Sequence, residues 1–325
     1  MLGSLSLVGI AEELSRLESY MGEFAASSVL WLSQPARHIL TAGGKRLRAA
    51  LLFRVAQLGG QAVPERAIHA AAAVELIHAA SLVHDDLIDE SPHRRGRPTI
   101  HEKWHHDAAV LVGDYLFALA AQAIARAADV RILEQVSEAA VAICEGEMSA
   151  VDEVEPLEEA VAVYSFKIGR KTATLFAAAG KIGAICGGAS EETIAALGRF
   201  GYALGMAFQI VDDVLDYVGD EQVLGKPAGG DLRRGLITLP LIYAVSHDDA
   251  DGFLRRAVDR FGDTFQPEEA AEVLRRVQAS SGPERAHQEA RRYRHEAVAY
   301  LQEVADAQAR APLEEIARLV VERSY

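Results

Sequence analysis

Cysteine is almost missing from this chain of 325 residues: Cys144 and Cys186 stand far apart, with no metal-type spacing. A disulfide framework and a thiolate metal site are both excluded on that basis, and the two thiols are expected to be reduced and buried. Aromatic residues are only 6% and β-branched runs are short, so sheets are disfavoured. Positive charge is in deficit. A formal net charge of -14 argues against a general attraction to nucleic acid or to anionic membrane surfaces. The first ten residues lack a basic leader and run into Ala11-Glu12-Glu13, so no secretory signal is expected and the cytoplasm is the expected location. The most apolar internal stretch, Ala108 to Ala125, carries Asp114 and Gln122 and is expected to be a buried core helix, not a transmembrane segment. No solenoid repeat, low-complexity linker or domain boundary is apparent, which makes one domain over 1–325 the expectation.

What the sequence does contain is 50% hydrophobic residues, many of them alanine, a composition suited to helices packed closely through small side chains. An all-α fold follows. Leu14, Leu17, Met21 and Phe24 fall near helical spacing, and a second helix is predicted around Leu30 to Leu40. Gly59-Gly60 ends a third, and Pro64 opens a long one. Further helices are predicted at about 101–127, 130–150, 157–186 and 190–218, with amphipathic helices from Leu236 onward.

The long alanine-rich helix ends in Val83-His84-Asp85-Asp86-Leu87-Ile88-Asp89. At about 100° per residue, Asp85 and Asp89 leave the same face about 6 Å apart along the axis, and His78 lies on that stripe almost two turns earlier. Burying three such groups unpaired costs several kcal/mol each on the order-of-magnitude scale, so the face lines a wet cavity, binds a metal or reaches the surface. Hard oxygen ligands on a rigid element suit magnesium, which keeps several waters and takes one or two carboxylates plus phosphate oxygens. Gln209-Ile210-Val211-Asp212-Asp213-Val214-Leu215-Asp216 then repeats the motif at the end of another helix, again before a glycine-rich basic loop.

Two basic clusters interrupt the acidic background. In Gly43-Gly44-Lys45-Arg46-Leu47-Arg48 a glycine turn leads into the donor-rich first turn of a helix, with Lys45 and Arg48 on one face. Cations there oppose the helix dipole, and accepting that cost hints at an anion; the bland alternative is a solvated basic end. Ser91-Pro92-His93-Arg94-Arg95-Gly96-Arg97-Pro98 cannot continue the helix and sets guanidinium groups beside the aspartates. Simple salt bridges are one outcome. A bound metal with arginines beyond it, gripping a diphosphate from two sides, is the other. Lys167, Arg170 and Lys171 form a cationic edge next to Thr172, which alone reads as a solvated face.

Taken in order, the glycine turn, His78 through Asp89, Arg94 through Thr99, Lys171-Thr172, Gln209 through Asp216, and Gly225-Lys226-Pro227 leading to Thr238-Leu239-Pro240 resemble the trans-isoprenyl diphosphate synthases, or polyprenyl synthetases, over nearly the whole length. The resemblance implies an all-α isoprenoid-synthase helical bundle around a deep central cavity, normally a homodimer. It implies that Asp85, Asp89, Asp212 and Asp216 hold magnesium ions. Arg94, Lys171, Thr172, Gln209 and Lys226 would bind an allylic prenyl diphosphate, while Lys45, Arg48, His78 and Arg95 would hold isopentenyl diphosphate. The implied activity is a prenyltransferase one. Magnesium and fixed cations stabilise charge on the departing diphosphate, and the allylic cation is attacked by the double bond of the second substrate. No nucleophilic side chain is required.

Product length in such enzymes depends on residues just before the first aspartate motif, here the small Ala80 and Ser81, so a hexaprenyl to decaprenyl product is expected. Geranylgeranyl diphosphate is the shorter alternative, if Phe117 or Leu119 forms an earlier floor. Leu236 stands where many relatives carry lysine, and Glu322-Arg323-Ser324-Tyr325 is not the strongly basic tail of some members. The rival readings are a class I terpene cyclase, which would not need the Lys45–Arg48 site, and one subunit of a heteromeric synthase or a non-catalytic regulator, the last disfavoured by the intact aspartates.

Overall fold

Where apolar stripes alternate with glycine breaks, the computed structural model has helices. Over the residues it describes, 9–219, 228–261, 267–304 and 307–322, the sole departure from helix and loop is one short hairpin. The chain forms two compact units: Met1–Val141 with Leu175–Gly201 and Ala299–Ile316, and Ala142–Thr174 with Tyr202–Val298 and Ala317–Tyr325.

In the first unit, α1 (Ala11–Phe24) buries Leu17 and Met21, and α2 (Leu30–Leu40) stops before the glycine turn, where Gly43 takes φ +77°. After α3 (Leu47–Ala56), an extended Pro64 leads into α4 (Glu65–Ile88), whose first turn carries Glu65 against the positive end of the dipole. Ala70 to Ala73 are fully buried, because alanine lets neighbours approach α4 on nearly every face. The hairpin β1 (His93–Arg94) and β2 (Arg97–Pro98) pairs Arg94 with Arg97 across Arg95-Gly96, both at positive φ. Then come α5 (Ile100–Trp104), α6 (His106–Ala127) and α7 (Val130–Glu147). Helix α6 is the main packing partner of α4.

In the other unit, α8 (Leu157–Ile168) passes through a π-helical segment (Gly169–Ala173) into α9 (Thr174–Gly187), which itself belongs to the first unit. Helix α10 (Glu191–Val218) carries the second aspartate motif. It is followed by α11 (Gly230–Arg233), α12 (Leu239–Asp248), α13 (Phe253–Val258), α14 (Pro267–Ala279), α15 (Gly282–Gln302) and α16 (Ala307–Glu322); α10 up to Gly201, α15 from Ala299 and α16 up to Ile316 belong to the first unit, and α7 from Ala142 belongs to this one. The second core gathers Tyr164, Met206, Ile210, Tyr217 and Leu241.

Four expectations need correction. The helix expected at 101–127 is two, because His105 at φ 81° cannot continue a right-handed turn. The run expected as one helix over 157–186 contains the π segment. Cys186 is buried, but Cys144 is exposed, since it sits one residue round α7 from the inward stripe of Val136, Ala139 and Ile143. Helix α6 is not a buried core helix. By length and composition alone α4, α6 and α10 are apolar enough to cross a membrane; their apolar windows are 72%, 44% and 72% buried, so α4 and α10 owe their character to the core and α6 only in part. Its outward side shows Val110, Leu111 and Phe117.

Candidate active site

Helix α4 ends as a carboxylate site. The Asp89 amide donates to the Asp85 carbonyl at 2.8 Å, so the two aspartates stand one turn apart as their spacing predicts. Asp85 is buried and Asp89 half-buried. Between them Asp86 is 3% exposed, and both its oxygens accept from Arg94 Nε, at 2.8 and 2.7 Å. The hairpin therefore does put a guanidinium beside the motif, but on its middle carboxylate, a residue the sequence did not single out.

The glycine turn supplies the cations. Arg46 takes a left-handed φ of 44°, which a non-glycine residue adopts only when held, and three acceptors hold it: Glu18 at 2.6 Å, the Leu40 carbonyl at 3.0 Å and Glu75 at 3.2 Å. Glu75 is 3% exposed and its other oxygen accepts the Ala49 amide at 3.2 Å, inside the first turn of α3. Part of the cost of cations at this helix start is thus offset by a carboxylate of the chain itself. A Cβ on Gly44 would lie 2.8 Å from Arg95 Nη1, so glycine lets the Arg95 guanidinium rest on the turn.

Arg48 lies over the Phe176 ring at 4.6 Å, with its buried Nε lacking a hydrogen-bond partner among the described residues. Burial pulls its guanidinium down to about 10, against the pull of Glu75. Burial, followed by the charges of Arg48, Arg95, Arg94 and Arg46, holds His78 well below the usual imidazole range. Arg48, His78 and Arg95 are therefore brought together as a cationic cluster around a neutral imidazole, suited to a polyanion. Lys45 is exposed on the same turn.

In the second unit the π segment positions Lys171 and Thr172. Such a turn adds a residue to the helix and is commonly found at functional sites. Lys171 forms an ion pair with Glu147, and a Cβ on Gly146 would meet the Lys171 amide nitrogen at 2.5 Å, so only glycine allows α7 to approach the π turn this closely. Thr172 donates to Gln209 Oε1 at 2.8 Å, and Gln209 Nε2 donates to Asp213 at 2.8 Å. Asp212 is exposed, whereas Asp216 is 3% exposed and accepts the Asp231 amide at 2.9 Å. Asp213 is 4% exposed and accepts from the Tyr164 hydroxyl at 2.6 Å; burial, then the charge of Asp231, pushes its carboxyl well above the usual range.

Lys226 and the segment Arg323 to Tyr325 lie outside the described residues. Leu236 is half-buried, its amide bonded to the Asp231 carbonyl at 3.0 Å. Ala80 is fully buried, and Ser81 donates to the His78 carbonyl at 2.9 Å. Leu119 is buried, but Phe117 is exposed. Glu75, Asp86, Tyr164 and Asp213 are the site residues that sequence reasoning missed. The signal in each case was a polar residue inside an apolar helical face; Glu75 finds the Ala49 amide across 26 residues and Tyr164 finds Asp213 across 49, whereas the partner of Asp86 is only 8 residues on.

Among the described residues, no three His, Cys, Asp or Glu side chains are grouped closely enough to hold a metal alone. Each motif instead offers carboxylates one turn apart, a partial donor set that fits a hard divalent cation completed by water and phosphate oxygens. Among the described residues, carboxylate pairs, a cluster of cations and a cationic π turn are groups suited to handling diphosphates. A family model described as polyprenyl synthetase matches residues 29–276. The chain is 37% identical over 316 residues to heptaprenyl diphosphate synthase component 2 of Geobacillus stearothermophilus, covering 97% of each chain. It is likewise 37% identical over 251 residues to geranylgeranyl diphosphate synthase of Methanosarcina mazei, covering 74% of this chain and 77% of that one. The crystal structure of a polyprenyl synthase from Caulobacter crescentus complexed with calcium and isoprenyl diphosphate superposes with a TM-score of 0.91 at 34% identity, covering 100% and 99% of the two chains. The chain belongs to the polyprenyl synthetase family, and its fold is the all-α fold of isoprenyl synthases.

Proposed function

We propose that this chain is a magnesium-dependent prenyltransferase that condenses an allylic prenyl diphosphate with isopentenyl diphosphate, head to tail, into a long all-trans polyprenyl diphosphate. The observation that carries this reading is on α4: the Arg48–His78–Arg95 cluster stands beside a helix that ends in the Asp85–Asp89 pair, so one helix serves two anionic groups. A terpene cyclase has no use for the first of them.

Asp85 with Asp89, and Asp212 with Asp216, would hold magnesium ions, and 1–325 would be a single polyprenyl synthetase domain. Bound magnesium would neutralise the allylic diphosphate and make it a better leaving group. Lys171, Arg94 and Lys226 would add fixed positive charge where negative charge develops as the allylic C–O bond breaks. Thr172 and Gln209 would line the same end of the site. Lys45, Arg48, neutral His78 and Arg95 would hold isopentenyl diphosphate with its double bond aimed at the allylic carbon. The new C–C bond forms from that double bond, and the proton then lost goes to the released diphosphate.

Overall likeness does not fix product length, since relatives named for heptaprenyl and geranylgeranyl products stand at the same 37% identity. Small Ala80 and Ser81 support the long product. Val110, Leu111 and Phe117 on α6, with Val130, Leu133 and Val141 on α7, are large exposed apolar groups that support self-association as a homodimer. The name "component 2" borne by the Geobacillus relative favours a second reading, a catalytic subunit that needs a different partner.

The test is incubation of purified protein with labelled isopentenyl diphosphate, farnesyl diphosphate and magnesium, with chelator and Asp85→Ala controls. A ladder ending at a long prenyl alcohol after dephosphorylation is expected, lost in both controls. A folded homodimer that elongates nothing points to the heteromeric reading, and a cyclised hydrocarbon overturns the transferase reading.

A further inference from the structure

Tyr164 is 2% exposed and stands 49 residues from its partner Asp213. Four side chains of the second unit form one chain of hydrogen bonds: the Tyr164 hydroxyl to Asp213 Oδ2 at 2.6 Å, Gln209 Nε2 to Asp213 Oδ1 at 2.8 Å, and the Thr172 hydroxyl to Gln209 Oε1 at 2.8 Å. The two ends of an amide are not interchangeable. Asp213 Oδ1 accepts, so the amino end of Gln209 faces it and the carbonyl end faces Thr172. Thr172 spends its one hydroxyl proton on that carbonyl, and its lone pairs are left for whatever lies beyond. Were the amide reversed, Thr172 would accept from the amino group and present its proton instead. Tyr164 can donate or accept, so a proton on Oδ2 would still leave Oδ1 an acceptor for Gln209.

We propose that Tyr164 is a positioning residue: by anchoring Asp213 it fixes the orientation of the Gln209 amide and so decides that the Thr172 hydroxyl presents lone pairs, not a proton, to the reacting end of the site. This rests on the prenyl-transfer reading above. The π turn that carries Thr172 and the helix end that carries Gln209 and Asp213 are thereby tied into one polarised unit. The bland alternative is a buried tyrosine that merely satisfies its hydroxyl, and that role would be indifferent to Thr172.

Wild-type protein is assayed first with both substrates; no product from it would count against the chain acting alone, the outcome that points to the heteromeric reading, and a cyclised product against prenyl transfer itself. With active wild type in hand, Tyr164→Phe, Thr172→Val and the double variant are compared by kcat and by KM for each substrate. Tyr164→Phe is expected to lower kcat about tenfold in the wild-type background and less than about twofold in the Thr172→Val background, because no hydroxyl then remains to orient. KM for isopentenyl diphosphate stays within about twofold throughout. Equal losses in both backgrounds, or an unchanged kcat for Tyr164→Phe, would overturn the proposal. If Tyr164→Phe lacks a cooperative melting transition, the same cycle with Asp213→Asn decides by the same criterion.

Discussion

The two aspartate motifs read alike in sequence, yet their middle carboxylates are balanced in different ways. Asp86, 3% exposed, is met by a full positive charge from Arg94. Asp213, 4% exposed, is met by neutral donors, Tyr164 and Gln209, and burial pushes its carboxyl up. The outer aspartates differ too: Asp85 is buried and Asp89 half-buried, whereas Asp212 is exposed and Asp216 buried. A duplicated motif therefore repeats its outer aspartates and leaves the middle residue to be used by the local frame. In the first motif that residue anchors a hairpin of cations; in the second it orients an amide.

The largest effects should come from the outer aspartates. Asp85→Ala and Asp212→Ala are each expected to lower kcat by roughly 10³-fold or more, read in steady-state assays at saturating magnesium. A motif whose outer aspartate tolerates alanine would not be a metal site, and the parallel between the two would break.

The middle carboxylates should differ in stability. Arg94→Met leaves a buried charge without its partner and should cost about 2–4 kcal/mol in urea unfolding, with much of it recovered when Asp86→Asn is added. Tyr164→Phe removes one neutral hydrogen bond and should cost about 1 kcal/mol. Equal costs at the two sites would erase the distinction drawn between them.

Five residues before each motif stands a fully buried alanine, Ala80 on α4 and Ala207 on α10. Ala80→Phe is expected to shorten the product, seen by chromatography of the dephosphorylated alcohols. Ala207→Phe should only overpack the core, lowering stability by about 1–3 kcal/mol with product length unchanged. A shorter product from the second variant instead would put the growing chain under the other helix.

The smallest effect is one of pH. Burial and the surrounding guanidinium groups depress His78, so between its folded value and about 6.5 the unfolded chain binds the additional proton. Stability from this source is present in full above about pH 6.5 and is lost as pH falls from there through the folded value. Thermal melts of His78→Gln should therefore show a flatter acid limb than wild type, and identical limbs would show that another group sets it.

Much of this was legible from spacing alone. Helix α2 falls where the apolar period put it, and α4 runs from Pro64 to the first motif as expected, because alanine content and glycine breaks are local signals. The positions of Arg48, His78 and Arg95 near one another also followed from motif and resemblance. What stayed hidden depends on long-range partners or on backbone detail that leaves the apolar pattern intact. Tyr164 finds Asp213 across 49 residues, and Glu75 finds the Ala49 amide across 26, separations that no window of sequence can see. The break at His105 and the π segment fall in the polar stretches 102–107 and 169–172, where no apolar period marks a change of backbone, and the exposure of Cys144 turned on one step of 100° round a helix.

The π segment at Gly169–Ala173 also limits how this stretch can vary. A π turn amounts to one residue more than an α-helix needs, so the sequence registers of α8 and α9 are out of phase by about 100°. Substitutions at Arg170 or Ala173 leave that phase untouched, whereas deleting a single residue would regularise the helix with α8 and α9 facing as they do, and would abolish the widened turn that sets Lys171 and Thr172. The Lys171-Thr172 pair is thus held by a count of residues as much as by their chemistry, and length is the quantity this segment can least afford to change.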